Sequence, residues 1–158
     1  MNHTVEDVVL ILNKIKRANK KVVLVTGVFD VLHQEHEIFL KKAKAAGEYL
    51  IVGLESDQRV KRIKGPQRPV NTELQRVRNI EKLKTADFTF ILPKVFDKPN
   101  DHEDLIKKIQ PDILAVSSHT KYIAEKIKII EKYKGKVKIV HEYNPLFSST
   151  MLIQDKKL

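Results

Sequence analysis

Short apolar runs rich in β-branched residues alternate with helical segments along the whole of this 158-residue chain. Each run has the length and composition of a strand buried on both faces of a parallel sheet. Because parallel strands need a right-handed crossover and the helical segments supply one, the alternation predicts a doubly wound, Rossmann-like α/β fold. We predict five parallel strands in the order 3-2-1-4-5, with helices on both faces. The five strands are Val22–Thr26, Tyr49–Leu54, Phe88–Leu92, Asp112–Val116 and Lys136–Val140.

Helical periodicity occupies most of the chain around these strands. Thr4 is placed to cap the first helix, so that residues 1–21 form a helix and a turn ahead of the first strand. Ser56–Val70 holds one glycine and two prolines, which predicts a loop with at most one helical turn. Neither a linker nor a repeat divides the sequence, and a single domain spanning 1–158 is expected. The predicted helices are Thr4–Ala18, His33–Ala46, Thr72–Lys84, Asp101–Ile109, His119–Tyr133 and one that starts near Ser148.

The composition favours a cytoplasmic protein with anionic partners. The chain has no cysteine, which excludes a disulfide framework, a thiolate nucleophile and a cysteine zinc site. No apolar run approaches the roughly 20 residues of a membrane-spanning helix, and the first residues carry acids where a signal peptide would carry basic charge. The formal charge of +10 suits nucleic acid, an acidic membrane surface or phosphorylated small molecules. Lysines that merely solvate helix faces would give the same charge.

The sequence TGVFDVLHQEH joins the end of the first strand to the start of the next helix. Gly27 lets the backbone approach a ligand closely, and the spacing of His33 and His36 places both imidazoles on one helix face. Backbone N–H groups and the helix dipole favour anions at that end. Two histidine donors there could hold the phosphates of a triphosphate and stabilise the charge that builds up during transfer. For the two histidines alone, chance placement on the surface is the alternative.

A second basic segment, VKRIKGPQRPV, follows the second strand. Its four cations could clamp a pyrophosphate or a substrate phosphate, and a solvated basic loop is the alternative. Arg76, on the next helix, could bind phosphate or pair with Glu73. Hydroxyls and free N–H groups at Ser148–Thr150 suit the β- and γ-phosphates, although an ordinary helix cap uses the same groups. The four cations are Lys61, Arg62, Lys64 and Arg68.

The first motif resembles the GxFDxxHxGH signature of the cytidylyltransferase-like nucleotidyltransferase superfamily. The matching positions are Gly27, Phe29, Asp30, His33 and His36. The strongest likeness is to the adenylyltransferase domain of heptose-phosphate enzymes of lipopolysaccharide synthesis, and it extends through KGPQRPVN (64–71), PDIL (111–114) and SST (148–150). Glycerol-phosphate cytidylyltransferases and archaeal FAD synthetases are similar but more distant.

The resemblance implies an enzyme that transfers AMP or CMP from ATP or CTP to a sugar- or polyol-phosphate acceptor and releases pyrophosphate. Mg²⁺ would accompany the triphosphate, and Asp30 could contact that metal through water or simply cap the turn. His33, His36 and Lys64 would be the catalytic residues. A homodimer is a candidate assembly, and neither a membrane nor nucleic acid is expected as a partner. The residues expected to bind nucleotide or phosphate are Thr26, Gly27, Val28, Phe29, Lys61, Arg68, Arg76, Ser148, Ser149 and Thr150.

Two departures from the family pattern define a competing hypothesis. Glu35 stands where HxGH has glycine, and it would bring bulk and negative charge beside a polyphosphate. The heptose enzymes carry Lys-Gly-Gly-Asp after the fourth strand, where this chain has Val116–His119. The alternative is therefore a degenerate relative that binds a nucleotide or a phosphometabolite without turnover. An active transferase requires Glu35 to turn away from the phosphates, or to be offset by Lys61, Arg62 or Mg²⁺.

Overall fold

The structure, a computed structural model, describes residues 2–142 and shows one parallel sheet. Its six strands are β1 (Asn2–His3), β2 (Val22–Gly27), β3 (Tyr49–Leu54), β4 (Phe88–Ile91), β5 (Ile113–Ser117) and β6 (Lys136–His141). They lie in the order β1-β4-β3-β2-β5-β6, and each neighbouring pair is parallel. Without β1, this is the predicted order 3-2-1-4-5, so the predicted fold class is confirmed.

The two-residue strand β1 was not predicted from the sequence. β1 pairs with β4 at Thr89 and Phe90 and so extends one edge of the sheet. A strand of two residues is too short to show the alternation by which strands are recognised in a sequence.

Six helices are described within residues 2–142. They are α1 (Val5–Arg17), α2 (Gln34–Lys44), α3 (Asp57–Lys64), α4 (Glu73–Lys82), α5 (Pro99–Ile109) and α6 (Ile123–Lys132). The predicted cap of the first helix is present: Thr4 Oγ1 accepts the N–H of Asp7 at 3.1 Å, and the Asp7 carboxylate accepts the N–H of Thr4 at 3.0 Å. None of these described helices combines the length and apolarity that crossing a membrane requires.

Helix α3 corrects the prediction of a loop over Ser56–Val70. The Ser56 hydroxyl caps α3 by accepting a hydrogen bond from the N–H of Arg59 at 3.2 Å, and Val60 is fully buried beneath the helix. The helix ends at Gly65, whose φ of 105° suits glycine. A cap and one buried valine stabilise two turns in a segment whose composition is otherwise that of a loop.

Helix α6 starts later than predicted. The N–H of Thr120 donates to the carbonyl of Ser117 at 3.2 Å, so the chain after β5 makes a turn before the helix begins at Ile123 rather than at His119. The final helix predicted near Ser148 lies outside the described residues.

The core lies in two layers, one on each face of the sheet. Alternate residues of β2 pack into the two core layers, because successive side chains of a strand point to opposite faces. Leu24 joins the layer formed with α1, α5 and α6, whereas Val25 joins the layer formed with α2 and α4. The predicted helices on both faces are therefore confirmed. The strand order reverses between β2 and β5, which is where ligands bind in sheets of this kind.

Candidate active site

A cavity of about 560 Å³ opens at the carboxyl ends of β2 and β5. Its walls come from the turn after β2, the first turn of α2, the end of α3 with the loop beyond it, α5, and α6 with the turn before it. This volume is typical of a small-molecule site. The predicted site residues that line it are Thr26, Gly27, Val28, Phe29, His33, His36, Lys64 and Arg68.

His33 and His36 form a stacked pair at the start of α2. Their ring centroids are 3.9 Å apart with an interplanar angle of 22°. His33 is the N-cap of α2, because its Nδ1 accepts the N–H of Glu35 at 3.2 Å. That bond places the proton of a neutral His33 ring on Nε2, which makes Nε2 a donor. The pair therefore presents imidazole groups at a helix N-terminus, the end that favours anions.

Phe29 also contacts the imidazole of His36. Its ring meets that of His36 edge-on, with centroids 5.4 Å apart. Phe29 has a φ of 50°, and a Cβ at Gly27 would lie 2.8 Å from the Phe29 ring. Glycine at position 27 is thus required by the packing of the ring that positions His36.

Burial favours the neutral form of both histidines. Burial lowers the pKa of His36 to about 4, and repulsion from His33 and Lys64 adds to this effect. Burial also lowers the pKa of His33, while Glu35 acts in the opposite direction. In addition, His36 Nδ1 is buried without a hydrogen-bond partner among the described residues. A bound anion would offset the burial and raise both pKa values, so phosphate binding is expected to take up protons.

The lowered pKa of His36 predicts a loss of stability in acid. In the unfolded chain, His36 becomes protonated below its ordinary pKa near 6.5. In the folded protein, His36 becomes protonated only near pH 4. The stabilisation present above pH 6.5 is therefore lost as the pH falls, by about 2–3 kcal/mol between pH 7 and 4.5. Urea unfolding of the wild type and of His36→Gln across this range measures it. The variant should show the shallower pH dependence, and parallel curves would contradict the prediction.

Lys64 and Arg68 bring positive charge to the same cavity. Burial lowers the pKa of Lys64, and Arg68 and Lys121 lower it further, while Asp30 opposes them. Cations that repel one another and lose solvent in this way gain most from a bound phosphate. The structure thus brings together the histidine pair and part of the predicted basic loop.

Asp30 holds that basic loop in place. Its side chain is fully buried, and it accepts hydrogen bonds from Arg68 Nε at 2.9 Å and from the N–H groups of Val70 and Asn71 at 2.8 and 2.9 Å. Both carboxylate oxygens are committed to these donors. These bonds support the structural alternative for Asp30, which joins the turn after β2 to the segment after α3. Its contact with a metal through water stays a prediction.

Arg76 is likewise structural and does not contact the cavity. Its guanidinium is fully buried and donates to the carbonyls of Asn71, Val28 and Glu55 at 3.1, 2.9 and 2.8 Å, and to Asp57 Oδ1 at 2.8 Å. The ion pair of Arg76 is with Asp57 and not with Glu73. Its other three described bonds join separate segments of backbone, at Val28, Glu55 and Asn71. Its contact with phosphate stays a prediction.

The remaining predicted binding residues have two different outcomes. Lys61 is exposed on α3 and does not line it. Ser148, Ser149 and Thr150 lie outside the described residues.

Glu35 lines the cavity, and its carboxylate contacts His141 Nε2 at the end of β6. Lys42 Nζ lies 3.2 Å from the other ring nitrogen of His141. Arg62 binds Asp97 at 2.9 Å. The partner of Glu35, His141, comes from the far edge of the sheet.

Several cavity residues were missed by sequence reasoning. Two of them interrupt apolar helix stripes: His102 precedes Leu105, Ile106 and Ile109 on α5, and Lys126 lies on α6 among isoleucines at helical spacing. A polar residue within such a stripe was a signal that the sequence offered. The missed lining residues include Phe96, His102, Lys121, Lys126, Ile129 and His141.

A family model described as cytidylyltransferase-like matches residues 24–156. The chain belongs to this family, and the resemblance inferred from its motifs is confirmed. It is 37% identical over 150 residues to the bifunctional protein HldE of Campylobacter jejuni subsp. doylei, which covers 93% of this chain and 31% of that protein. Against the bifunctional protein HldE of Campylobacter curvus it is 46% identical over 99 residues, covering 63% and 20% of the two chains. The chain thus spans about a third or less of the length of these relatives.

Solved structures agree with this assignment. The lipopolysaccharide core biosynthesis protein from Thermoplasma volcanium GSS1 is 28% identical, with a TM-score of 0.62 over 79% of this chain and 97% of that one. Pantothenate synthetase from Thermus thermophilus has a TM-score of 0.64 at 13% identity, covering 99% of this chain and 70% of that one, and shows the fold alone. Family and relatives together support nucleotidyl transfer as the general activity.

Proposed function

We propose that the protein transfers AMP or CMP from ATP or CTP to a sugar- or polyol-phosphate acceptor. The observation that carries the proposal is the stacked pair His33–His36 at the N-terminus of α2, which lines one cavity together with Lys64 and Arg68. Imidazole donors, a helix N-terminus and two cations converge there on the kind of group that a triphosphate presents. Membership of the cytidylyltransferase-like family supports the reaction class.

The chemistry needs positioning and charge stabilisation more than covalent catalysis. An oxygen of the acceptor phosphate attacks the α-phosphorus, a new P–O bond forms, and the bond from the α-phosphorus to the bridging oxygen breaks with release of pyrophosphate. Negative charge shifts to the leaving pyrophosphate, where donors from His33 and His36 would stabilise it. Lys64 and Arg68 would hold the phosphates. Mg²⁺ is expected to arrive with the triphosphate, because Mg²⁺ commonly binds through substrate phosphates and water.

Binding without turnover is the second candidate, and Glu35 is the observation that favours it. Its carboxylate lines the cavity beside the histidine pair, where it repels a polyphosphate. The segment Val116–His119, which covers the end of β5 and the start of the turn after it, also lines the cavity in part and lacks the lysine that the heptose enzymes have there.

A pyrophosphate-release screen separates the two candidates. ATP and CTP are each incubated with Mg²⁺ and a panel of sugar, polyol and flavin phosphates, and nucleotide affinity is measured in parallel by calorimetry. Pyrophosphate release that depends on one nucleotide and one acceptor supports the proposed transfer. Nucleotide binding with no release from any pair would contradict the transfer and support the binding protein.

Replacing Glu35 with glycine is predicted to tighten triphosphate binding about tenfold, or ~1.4 kcal/mol, because a negative charge leaves the cavity wall. Glu37→Gly is the matched control: it removes the same charge and costs the same helix propensity on α2, but Glu37 is exposed and does not line the cavity. Calorimetry with ATP and CTP, with and without Mg²⁺, measures the effect. Unchanged affinity of Glu35→Gly under all four conditions would exclude obstruction by Glu35.

A further inference from the structure

The cavity has a second basic wall, formed by α5, α6 and the turn before α6. His102 and Lys126 both face the cavity from positions in the apolar stripes of their helices. A histidine and a lysine in such stripes lose solvent, and packing alone would favour apolar side chains there. A structural role in the core therefore does not account for this pair.

Lys126 is a partly buried cation with no counter-ion among residues 2–142. Its Nζ lies 2.7 Å from Thr120 Oγ1, and no carboxylate of the described residues lies within ion-pair distance. Burial lowers the pKa of Lys126. Lys126 and Thr120 both line the cavity, so the ammonium group and the hydroxyl to which it donates lie side by side in its wall.

His102 completes this group. Its ring packs against that of Phe96, with centroids 4.1 Å apart, which fixes the plane of the imidazole. Burial lowers the pKa of His102, as do Lys126 and Arg59, whereas Asp101 and Asp97 oppose the effect. The imidazole and the lysine therefore disfavour each other's charged form, and a bound anion would offset this effect on both groups.

The two basic walls belong to opposite faces of the sheet. The helix that bears His33 and His36 packs in the layer of α2 and α4, whereas α5 and α6 pack in the other layer. The cavity between them lies where the strand order reverses. A triphosphate held by the histidine pair would therefore leave the second wall free for another anion.

We propose that Lys126, Thr120 and His102 form the subsite for the phosphate monoester of the acceptor, an inference that rests on the proposed transfer. The ammonium group supplies charge, the hydroxyl supplies a hydrogen bond, and the imidazole supplies a donor that can take up a proton when the dianion binds. The subsite selects a phosphorylated acceptor and orients it toward the nucleotide.

The first test uses inorganic phosphate as the probe and needs no turnover. Protein with ¹³C-labelled histidine is titrated with phosphate, and the His102 resonance is assigned from a His102→Gln sample. In the wild type, phosphate should shift this resonance and raise the pKa of His102. In Lys126→Met the apparent affinity reported by His102 should fall at least tenfold, whereas Lys128→Met, an exposed lysine two residues further on α6, should match the wild type. If phosphate shifts only the resonances of His33 and His36, the assignment of a subsite to Lys126, Thr120 and His102 is overturned.

The second test is the KM pattern of pyrophosphate release. Lys126→Met should raise the KM of the acceptor phosphate at least tenfold while the KM of the nucleotide stays within twofold, and Lys126→Arg should restore much of the loss. A rise confined to the nucleotide KM would overturn the assignment. Thermal melting shows whether Lys126→Met folds, and Lys126→Arg keeps the test decisive if it does not. If no acceptor supports turnover but phosphate still acts on His102 through Lys126, the proposed transfer fails and the phosphate subsite stands.

Discussion

Arg76→Met is expected to lower the free energy of unfolding by about 3–5 kcal/mol. The substitution leaves three backbone carbonyls without their buried donor and removes the partner of Asp57. Each buried acceptor that loses its donor costs about 1–3 kcal/mol, which supports a total of that size. Because the carbonyls belong to the turn after β2, the end of β3 and the segment before α4, the site above them should loosen as well.

Arg78→Met is the matched control for this prediction. Arg78 lies two residues further along α4 and is exposed, so its loss should change the free energy of unfolding by no more than about 0.5 kcal/mol. Urea unfolding of the wild type and both variants at one pH gives the comparison. Arg76→Lys should be intermediate, since an ammonium group keeps the charge but cannot reach four acceptors with fixed geometry. Equal stability of Arg76→Met and Arg78→Met would show that the buried network contributes nothing.

The strands and their order could be predicted because the signal is local. A run such as Tyr49–Leu54 is apolar throughout, and the strand observed in the structure has the same bounds. The short strand Asn2–His3 could not be predicted, because its formation depends on the edge of β4 at Thr89 and Phe90, which is distant in sequence. Helix α3 was missed because its glycine and prolines lie at and beyond its end, where they stop a helix without preventing one.

The part of the site that could be predicted is the part that belongs to the motif TGVFDVLHQEH. Gly27, Phe29, His33 and His36 follow one another in sequence, and the structure places all four on one cavity. Charge alone did not distinguish Arg76, which is buried, from a cation in the cavity. Burial depends on which carbonyls surround a side chain, and those carbonyls come from distant segments.

The partner of Glu35 shows the same limit over a longer distance. His141 is 106 residues further along the chain and reaches Glu35 because β6 lies beyond β5 at the sheet edge. Lys126 and His102 differ from that case, since each interrupts a helical apolar stripe that the sequence displays. The periodicity could have identified them, although only the fold shows that both stripes face one cavity.

His33→Asn is expected to reduce kcat by about 10²–10³, the size of effect seen when one donor to a developing negative charge is removed. Asparagine is a good N-cap, and its side-chain oxygen can replace Nδ1 as the acceptor for the N–H of Glu35. The variant therefore keeps the start of α2 while it removes the Nε2–H donor and the stacking on His36. Pyrophosphate release measures the loss, and thermal melting measures the fold.

His33→Ala separates the two roles of this imidazole, the cap and the donor. Alanine removes both, so it should lose as much activity as asparagine and also about 1 kcal/mol of stability, the usual cost of an N-cap. Wild-type turnover in His33→Asn would mean that His33 serves only to start the helix, and the charge-stabilising role would have to rest on His36 alone. If the wild type binds nucleotide without turnover, the same pair of variants is compared by nucleotide affinity. If His33 donates to the phosphates, the loss of that donor then weakens binding equally in both variants, because the cap by itself touches no ligand.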